Sequence, residues 1–220
     1  MWNLLFQLVL LPLPWMVRRW LLVRGLGWRI HPTARVGHSL ILVRSLQMAP
    51  RSRIGHLNFM RNHRRVVLNE GANIGHMNWI SAGPAEGEFG FDAKRDPCLI
   101  LGDEAAITSR HLIDCTDRVE IGAYAILAGY RSQILTHGID VVAGRQDCAP
   151  VKIGPFAFVG TGVVVLMGAR VPERSLVGAG SVVLKGELPT GWLLAGVPAR
   201  PVRPLPADAG FMTRRTGRVT

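Results

Sequence analysis

His137 is the side chain best placed to move a proton. It follows Thr136 and opens a stretch, 136–150, where a regular apolar pattern breaks off before restarting at Val151-Lys-Ile-Gly. Histidine titrates near neutral pH and can take a proton from a hydroxyl when a second group holds its ring. Asp140 is close in sequence, but nothing in the chain identifies the group that orients the ring; Thr136, Asp140 and Asn78 are the polar candidates for contact with a substrate. Lys185 and Arg200 carry charge suited to phosphate. Gly160, Gly178, Ala179, Gly180 and Ser181 keep the chain surface low enough for an extended ligand, and Pro198 and Ala199 offer an apolar contact for a flat ring. A covalent nucleophile is not marked: there is no G-x-S-x-G turn, and Cys98, Cys115 and Cys148 form no C-x-x-C pair. The cysteines read as unpaired thiols of a reducing compartment. The seven histidines contain no H-x₄-H pair, so no metal site is expected.

The elements that must position these groups announce themselves by an unusual period. Ile153, Val159, Val165, Val171, Val177 and Val183 are spaced by six, which matches neither a helix nor a half-buried strand. A period of six fits a β-solenoid whose coil has three short flat sides, each sending one residue inward. Ala157, Val163, Ala169, Ser175 and Ser181 supply the small residues a narrow interior needs, and Gly154, Gly160 and Gly178 stand where the chain turns. Upstream the rhythm runs through Ile30, Val36, Leu42, Ile54, Met60 and Val66, shifts by two at Leu68, and continues through Ile74, Ile80, Leu101, Ile107, Ile113 and Val119, with a second shift at Ile121. Ile54-Gly-His-Leu-Asn-Phe-Met echoes Ile74-Gly-His-Met-Asn-Trp-Ile, which predicts Asn58 and Asn78 stacked on successive coils and His56 and His76 at the surface. Two excursions interrupt the coil, 81–98 and 136–150; the first, rich in Gly and Pro, is expected to line the acceptor side of a site.

At 220 residues the chain is long enough for one domain, and its net charge of +11 is uneven. Residues 1–65 hold eleven arginines and no carboxylate, whereas the remainder is balanced. Met1 to Val17 is uncharged and apolar, interrupted by Pro12 and Pro14; Arg18, Arg19, Arg24 and Arg29 follow among Trp20, Leu21, Leu22 and Trp28. The charge comes after the apolar run, the reverse of a signal peptide, and the run is short for a span. Residues 1–29 therefore read as a membrane-interface segment, tryptophans at the interface and arginines on anionic headgroups. A short span, or burial against the solenoid or a partner, are the alternatives. The leucines between the arginines argue against nucleic acid.

The run Ile153-Gly-Pro-Phe-Ala-Phe-Val-Gly, then Gly178-Ala-Gly-Ser-Val-Val, then Ala195-Gly-Val-Pro-Ala-Arg resembles the C-terminal half of the hexapeptide-repeat acyltransferases. The likeness is greatest to the maltose, galactoside and exopolysaccharide O-acetyltransferases, and it is strong over about 136–202. It implies an all-β fold, a left-handed parallel β-helix over 30–204; residues 1–29 fall outside the likeness and read as an apolar helical segment, and 205–220, without periodicity, as a flexible basic tail. It implies acetyl-CoA as co-substrate, a homotrimer, and a histidine general base in a Thr-His context, which Thr136-His137 matches. It also implies that the Gly-Ala-Gly-Ser and Gly-Val-Pro-Ala-Arg segments border the coenzyme A channel. The expected function is O-acetylation of a saccharide hydroxyl at the cytoplasmic face of the membrane. Transfer to a small free acceptor (serine, a nucleotide-sugar amine, an antibiotic) and a non-catalytic scaffold are the alternatives.

Overall fold

Side chains six residues apart can all point inward only if the chain turns after every short strand, and it does. A computed structural model, which describes residues 2–83 and 95–217, shows strands of two to four residues wound into a three-sided, left-handed parallel β-helix. All coil-to-coil pairings are parallel and in register. On the first face Ile30, Met48, Leu68, Leu101, Ile121, Ile153 and Val171 lie one above another. Ile54, Ile74 and Ile107 stack in the same way on the second face, and Met60, Ile80 and Ile113 on the third. These inward residues are essentially inaccessible to water and form one continuous core.

The two-residue shifts have a simple cause. Eighteen residues separate Ile30 from Met48, but twenty separate Met48 from Leu68. The longer coil has a longer first-face strand, Arg65–Leu68, in which alternation sends both Val66 and Leu68 inside. Val119 and Ile121 repeat this. One expected member is displaced: Ile41, not Leu42, faces the core of the first coil and pairs with Met60. The glycine after each inward residue is required by proximity rather than by a left-handed backbone. A Cβ on Gly154 would lie 2.5 Å from the backbone nitrogen of Glu173 in the next coil, and one on Gly55 would lie 2.3 Å from the Gly75 carbonyl oxygen. The left-handed conformations fall elsewhere on the corners, at Leu57, Met77 and Phe156 for example.

A polar ladder fills the corner between the second and third faces. The Asn58 amide nitrogen donates to the Gly75 carbonyl (2.8 Å), and Asn78 donates to Asn58 Oδ1 (3.0 Å) and to the Thr108 carbonyl (3.0 Å). Asn78 Oδ1 accepts the backbone N–H of His111 (2.9 Å), and His111 Nδ1 accepts that of Ser132 (3.2 Å). Burial pushes His111 down to about 4, so it stays neutral. Asn78 is thus a sealed structural residue with no side-chain surface for a substrate, a correction to its candidacy.

The N-terminal segment is a lid on the coil's first edge, which would otherwise present unpaired backbone groups. It forms α1 (Trp2–Leu10) and α2 (Trp15–Leu26), joined at Pro12–Pro14. Each face receives a polar side chain. Arg19 donates to the Ile30 carbonyl (2.5 Å), Arg18 to the carbonyls of Val36 and Gly37, and Gln7 both donates to the Ile41 carbonyl (2.6 Å) and accepts its N–H (2.9 Å). Leu10, Leu22 and Trp28 join the core. Arg18, Arg19 and Trp28 are therefore capping and core residues, not headgroup contacts; burial lowers the Arg18 pKa from its usual value. Leu5, Val9, Met16 and Trp20 stay exposed on the outer side. No described helix is long and apolar enough to cross a membrane.

At the other end, Trp192–Gly196 pairs with Leu176–Val177 and folds back antiparallel on Ala199–Pro204, whose prolines deny the edge further donors. The tail differs from the free segment expected. Through Gly217 it lies along the second face: Phe211 meets Phe158 edge-on at 5.5 Å, Arg214 donates to the Tyr124 carbonyl, and Gly217 donates to Glu104 Oε2 (3.0 Å). Residues 218–220 lie outside the described residues.

Gln7→Leu preserves shape while leaving both backbone groups of Ile41 unpaired. It should lower stability by roughly 2 kcal/mol, measured by urea unfolding, whereas Val9→Ser on the outer side should change it by less than about 0.5 kcal/mol.

Candidate active site

Both excursions leave the coil at one corner, between the third and first faces. The first leaves after Trp79–Ser81; most of it, 84–94, lies outside the described residues, so its expected role is not observed. The second is an antiparallel hairpin, His137–Asp140 with Arg145–Cys148. In the coil between them the corner is the short direct turn from Asp114 to Arg118, and this packs the base of the hairpin against Asp114.

Asp114 organises the corner. Its Oδ1 accepts from the backbone N–H (3.1 Å) and hydroxyl (2.6 Å) of Thr116. Its Oδ2 accepts from the N–H (2.8 Å) and hydroxyl (2.8 Å) of Thr136 and from His137 Nδ1 (2.8 Å). Burial, the largest influence on this carboxyl, opposes its charge, but the hydrogen bonds from Thr116, His137 and Thr136 outweigh that and hold it below its ordinary range. An ionised carboxylate only accepts, so Nδ1 of His137 carries the proton and the Nε2 lone pair is the basic position. The imidazole is 44% exposed although its partner is nearly buried. The arrangement is an imidazole of fixed tautomer at the surface with a buried carboxylate behind it, which is the layout of a general base and its orienting group.

His137 is at the exposed corner, whereas Thr136, expected to contact a substrate, is fully buried with its hydroxyl on Asp114 and is a structural residue; Asp114 itself is absent from the sequence-based candidates. The signal was present: Ile113 and Ile134 are coil partners twenty-one residues apart, and stepping back one coil from 135–137 lands on Asp114–Thr116. Asp140 is not at this corner. It ends the hairpin strand, where its Oδ1 accepts the N–H groups of Val142 and Ala143 (both 3.0 Å) and shapes the turn.

The candidates for a coenzyme separate into two groups. Lys185 reaches the same corner as His137, its side chain 3.1 Å from where a Cβ on Gly168 would be, and Gly168 itself is beside Ala149 at the hairpin's end. Gly160, Gly178, Ala179 and Gly180 sit at the opposite edge of the third face, with Arg200 nearby on the terminal strand across from Ala195. Ala179, Gly180 and Arg200 are exposed and leave an open, flat surface, but Gly160 is buried. Ser181 and Ala199 need correction as ligand contacts, since both side chains point inward: Ser181 Oγ accepts the N–H of Gly196 (3.2 Å), and Ala199 is in the core. Pro198, half-buried, follows a cis peptide bond.

No family model matches the chain. A 60-residue stretch is 38% identical to galactoside O-acetyltransferase of Escherichia coli, covering 27% of this chain and 29% of that protein. An 85-residue stretch is 32% identical to 2,3,4,5-tetrahydropyridine-2,6-dicarboxylate N-acetyltransferase of Staphylococcus aureus, covering 39% of this chain and 30% of that one. The matches thus span about a third of the length of these relatives. In fold the chain is similar to an N-acyltransferase of Bacillus cereus solved with dTDP and coenzyme A, with a TM-score of 0.50, 14% identity, and coverage of 86% of this chain and 90% of that one. Over these stretches the chain is similar in sequence to acetyltransferases, and its coil has the fold of hexapeptide-repeat acyltransferases.

Because the folded pKa of Asp114 lies below the unfolded value, the stability it contributes is present above about pH 4 and is lost as pH falls through the lower folded value. Asp114→Asn should therefore be less stable than the parent chain at pH 7, with the difference shrinking below about pH 4. Thermal unfolding across pH 7 to 3 reads this directly; a gap constant over that range would contradict it.

Proposed function

We propose that the chain is an acetyl-CoA-dependent O-acetyltransferase acting on a saccharide hydroxyl. The observation that carries this is the Asp114–His137 pair at an exposed corner of a coil similar to those of acyltransferases. His137 Nε2 removes the proton as the acceptor oxygen attacks the thioester carbonyl. The tetrahedral intermediate then collapses, the C–S bond breaks, and the proton passes from His137 to the departing thiolate. Asp114 keeps the ring in the productive tautomer and balances its transient charge. The open surface at Ala179 and Gly180 suits an extended pantetheine arm, and Lys185 and Arg200 supply charge for phosphates.

A flat coil wall encloses nothing, so the site calls for a second copy of the chain, and the hairpin supports a homotrimer. Ile139, Val141 and Val142 are 68%, 86% and 96% exposed, an apolar projection that gains from burial against a neighbour. In the same way, Leu5, Val9, Met16 and Trp20 on the outer side of the helical lid suit the surface of an anionic membrane on its cytoplasmic side, with Arg24 beside Trp20 (5.9 Å) at the edge. Such a location favours a polysaccharide or lipid-linked glycan precursor as acceptor.

His137→Ala and Asp114→Asn should each lower acetyl transfer about 10²- to 10⁴-fold with acetyl-CoA binding retained, whereas Lys185→Glu should weaken that binding. Isothermal titration with acetyl-CoA and thiol release in the presence of candidate sugars measure these effects. Full turnover in His137→Ala would remove the proposed mechanism, and faster thiol release with serine or a free amine than with any glycan would replace the acceptor. Ile139→Ser with Val142→Ser should leave the coil folded and reduce the particle mass seen by light scattering. Leu5→Ser with Val9→Ser and Trp20→Ser, which spares the capping residues, should reduce sedimentation with anionic vesicles.

A further inference from the structure

A cavity of about 840 Å³ lies at a different corner from the catalytic one, between the Pro12–Pro14 connector and the outside of the first four coils. One wall is a column of imidazoles, His38, His56 and His76, stacked with ring centroids 5.2 and 5.5 Å apart. Arg18, Arg35 and Arg53 also line it, and no described lining residue is a carboxylate.

The hydrogen bonding of the column fixes where its protons are. The backbone N–H of His38 donates to His56 Nδ1 (3.1 Å), that of His56 to His76 Nδ1 (3.0 Å), and that of His76 to Ser109 Oγ (3.0 Å). A nitrogen that accepts carries no proton, so in the neutral rings of His56 and His76 the hydrogen is on Nε2. His38 Nδ1, 3.1 Å from the same His56 nitrogen, approaches as a donor. The wall thus carries the Nε2–H donors of His56 and His76 and the guanidinium of Arg53. Arg18 and Arg35, which donate to backbone carbonyls, add further positive charge, and no described lining residue is an acidic partner for these groups. That chemistry selects an oxyanion with several acceptor oxygens, and phosphate esters meet it. One phosphate can span the Nε2–H groups of His56 and His76, and a diphosphate adds contact with the guanidinium of Arg53. The volume is that of a small-molecule site.

We infer that this cavity binds a diphosphate ester, separately from any site for the acyl donor. The inference goes beyond the acyl-transfer reading and does not depend on it. The same headgroup chemistry is found on a free nucleotide-like diphosphate and on a prenyl-type lipid, and the cavity lies directly under the connector of the helices whose outer sides are apolar.

The test is isothermal titration of the full-length chain with inorganic pyrophosphate, orthophosphate and farnesyl diphosphate. Saturable binding of pyrophosphate, tighter than orthophosphate, is expected. His56→Asn with His76→Asn retains an acceptor oxygen near the Nδ1 position while removing Nε2–H, and should weaken binding about tenfold or more, as should Arg53→Gln. Unchanged melting temperatures in these variants would show that the coil is intact. Tighter binding of farnesyl diphosphate than of pyrophosphate identifies a lipid source, and equal binding a soluble one. The inference is overturned if the folded protein binds neither diphosphate, if the variants bind as well as the parent, or if acetyl-CoA displaces pyrophosphate competitively. His137→Ala, which disables the proposed transfer, should bind pyrophosphate normally, so failure of one reading is distinguishable from failure of the other.

Discussion

Every structural feature of this chain follows from the need to pair a backbone that runs in parallel coils. Within the stack the pairing is automatic, because each coil supplies donors and acceptors to the next at the same three faces. At the ends it is not, and the two ends are closed by different devices. The first edge receives Arg19, Arg18 and Gln7, one to each face, from helices that also place Leu10 and Leu22 over the open core. The other end turns back on itself at Trp192–Pro204. A sequence stretch that looks made for a membrane is thus first a structural lid, and only its outer surface is available for anything else.

The narrow interior governs the polar groups as well. A side chain entering a corner has neighbours only above and below, so polar residues survive there by stacking into ladders. Ser39, Asn58, Asn78, His111 and Ser132 form one such ladder at the second corner. Asp114 uses the same device at the third corner, receiving hydrogen bonds from its own turn and from the turn above. The difference is that the upper turn departs into a hairpin, which brings His137 to the surface above a buried carboxylate. A structural ladder becomes a potential catalytic pair because one coil is interrupted.

Much of the fold could be read from apolar spacing, since a residue that must point into a narrow core at every sixth position leaves a trace no other architecture leaves. The places where the reading slipped lie at the corners, where spacing and direction both depart from the regular step. Leu42 was favoured over Ile41 because a fixed step of six does not register a corner shortened by a residue. Asn78, Ser181 and Ala199 were candidates for ligand contact because composition cannot say on which side of a corner a small or polar residue points. The arginines of the first thirty residues looked alike in sequence, yet Arg18 is buried and Arg24 is exposed.

The sequence by itself determined the coil, the places where it is interrupted, and the identity of the exposed histidine. These are properties of local period and of its breaks. Only the tertiary structure decided that Asp114 holds that histidine, that Asp140 does not, and that three histidines from separate coils line one cavity with three arginines. Such pairings link residues about twenty positions apart, and the length of each coil sets them. Coil length varies with a two-residue insertion on one face or an excursion at one corner, so the partners are fixed only once every coil has been wound.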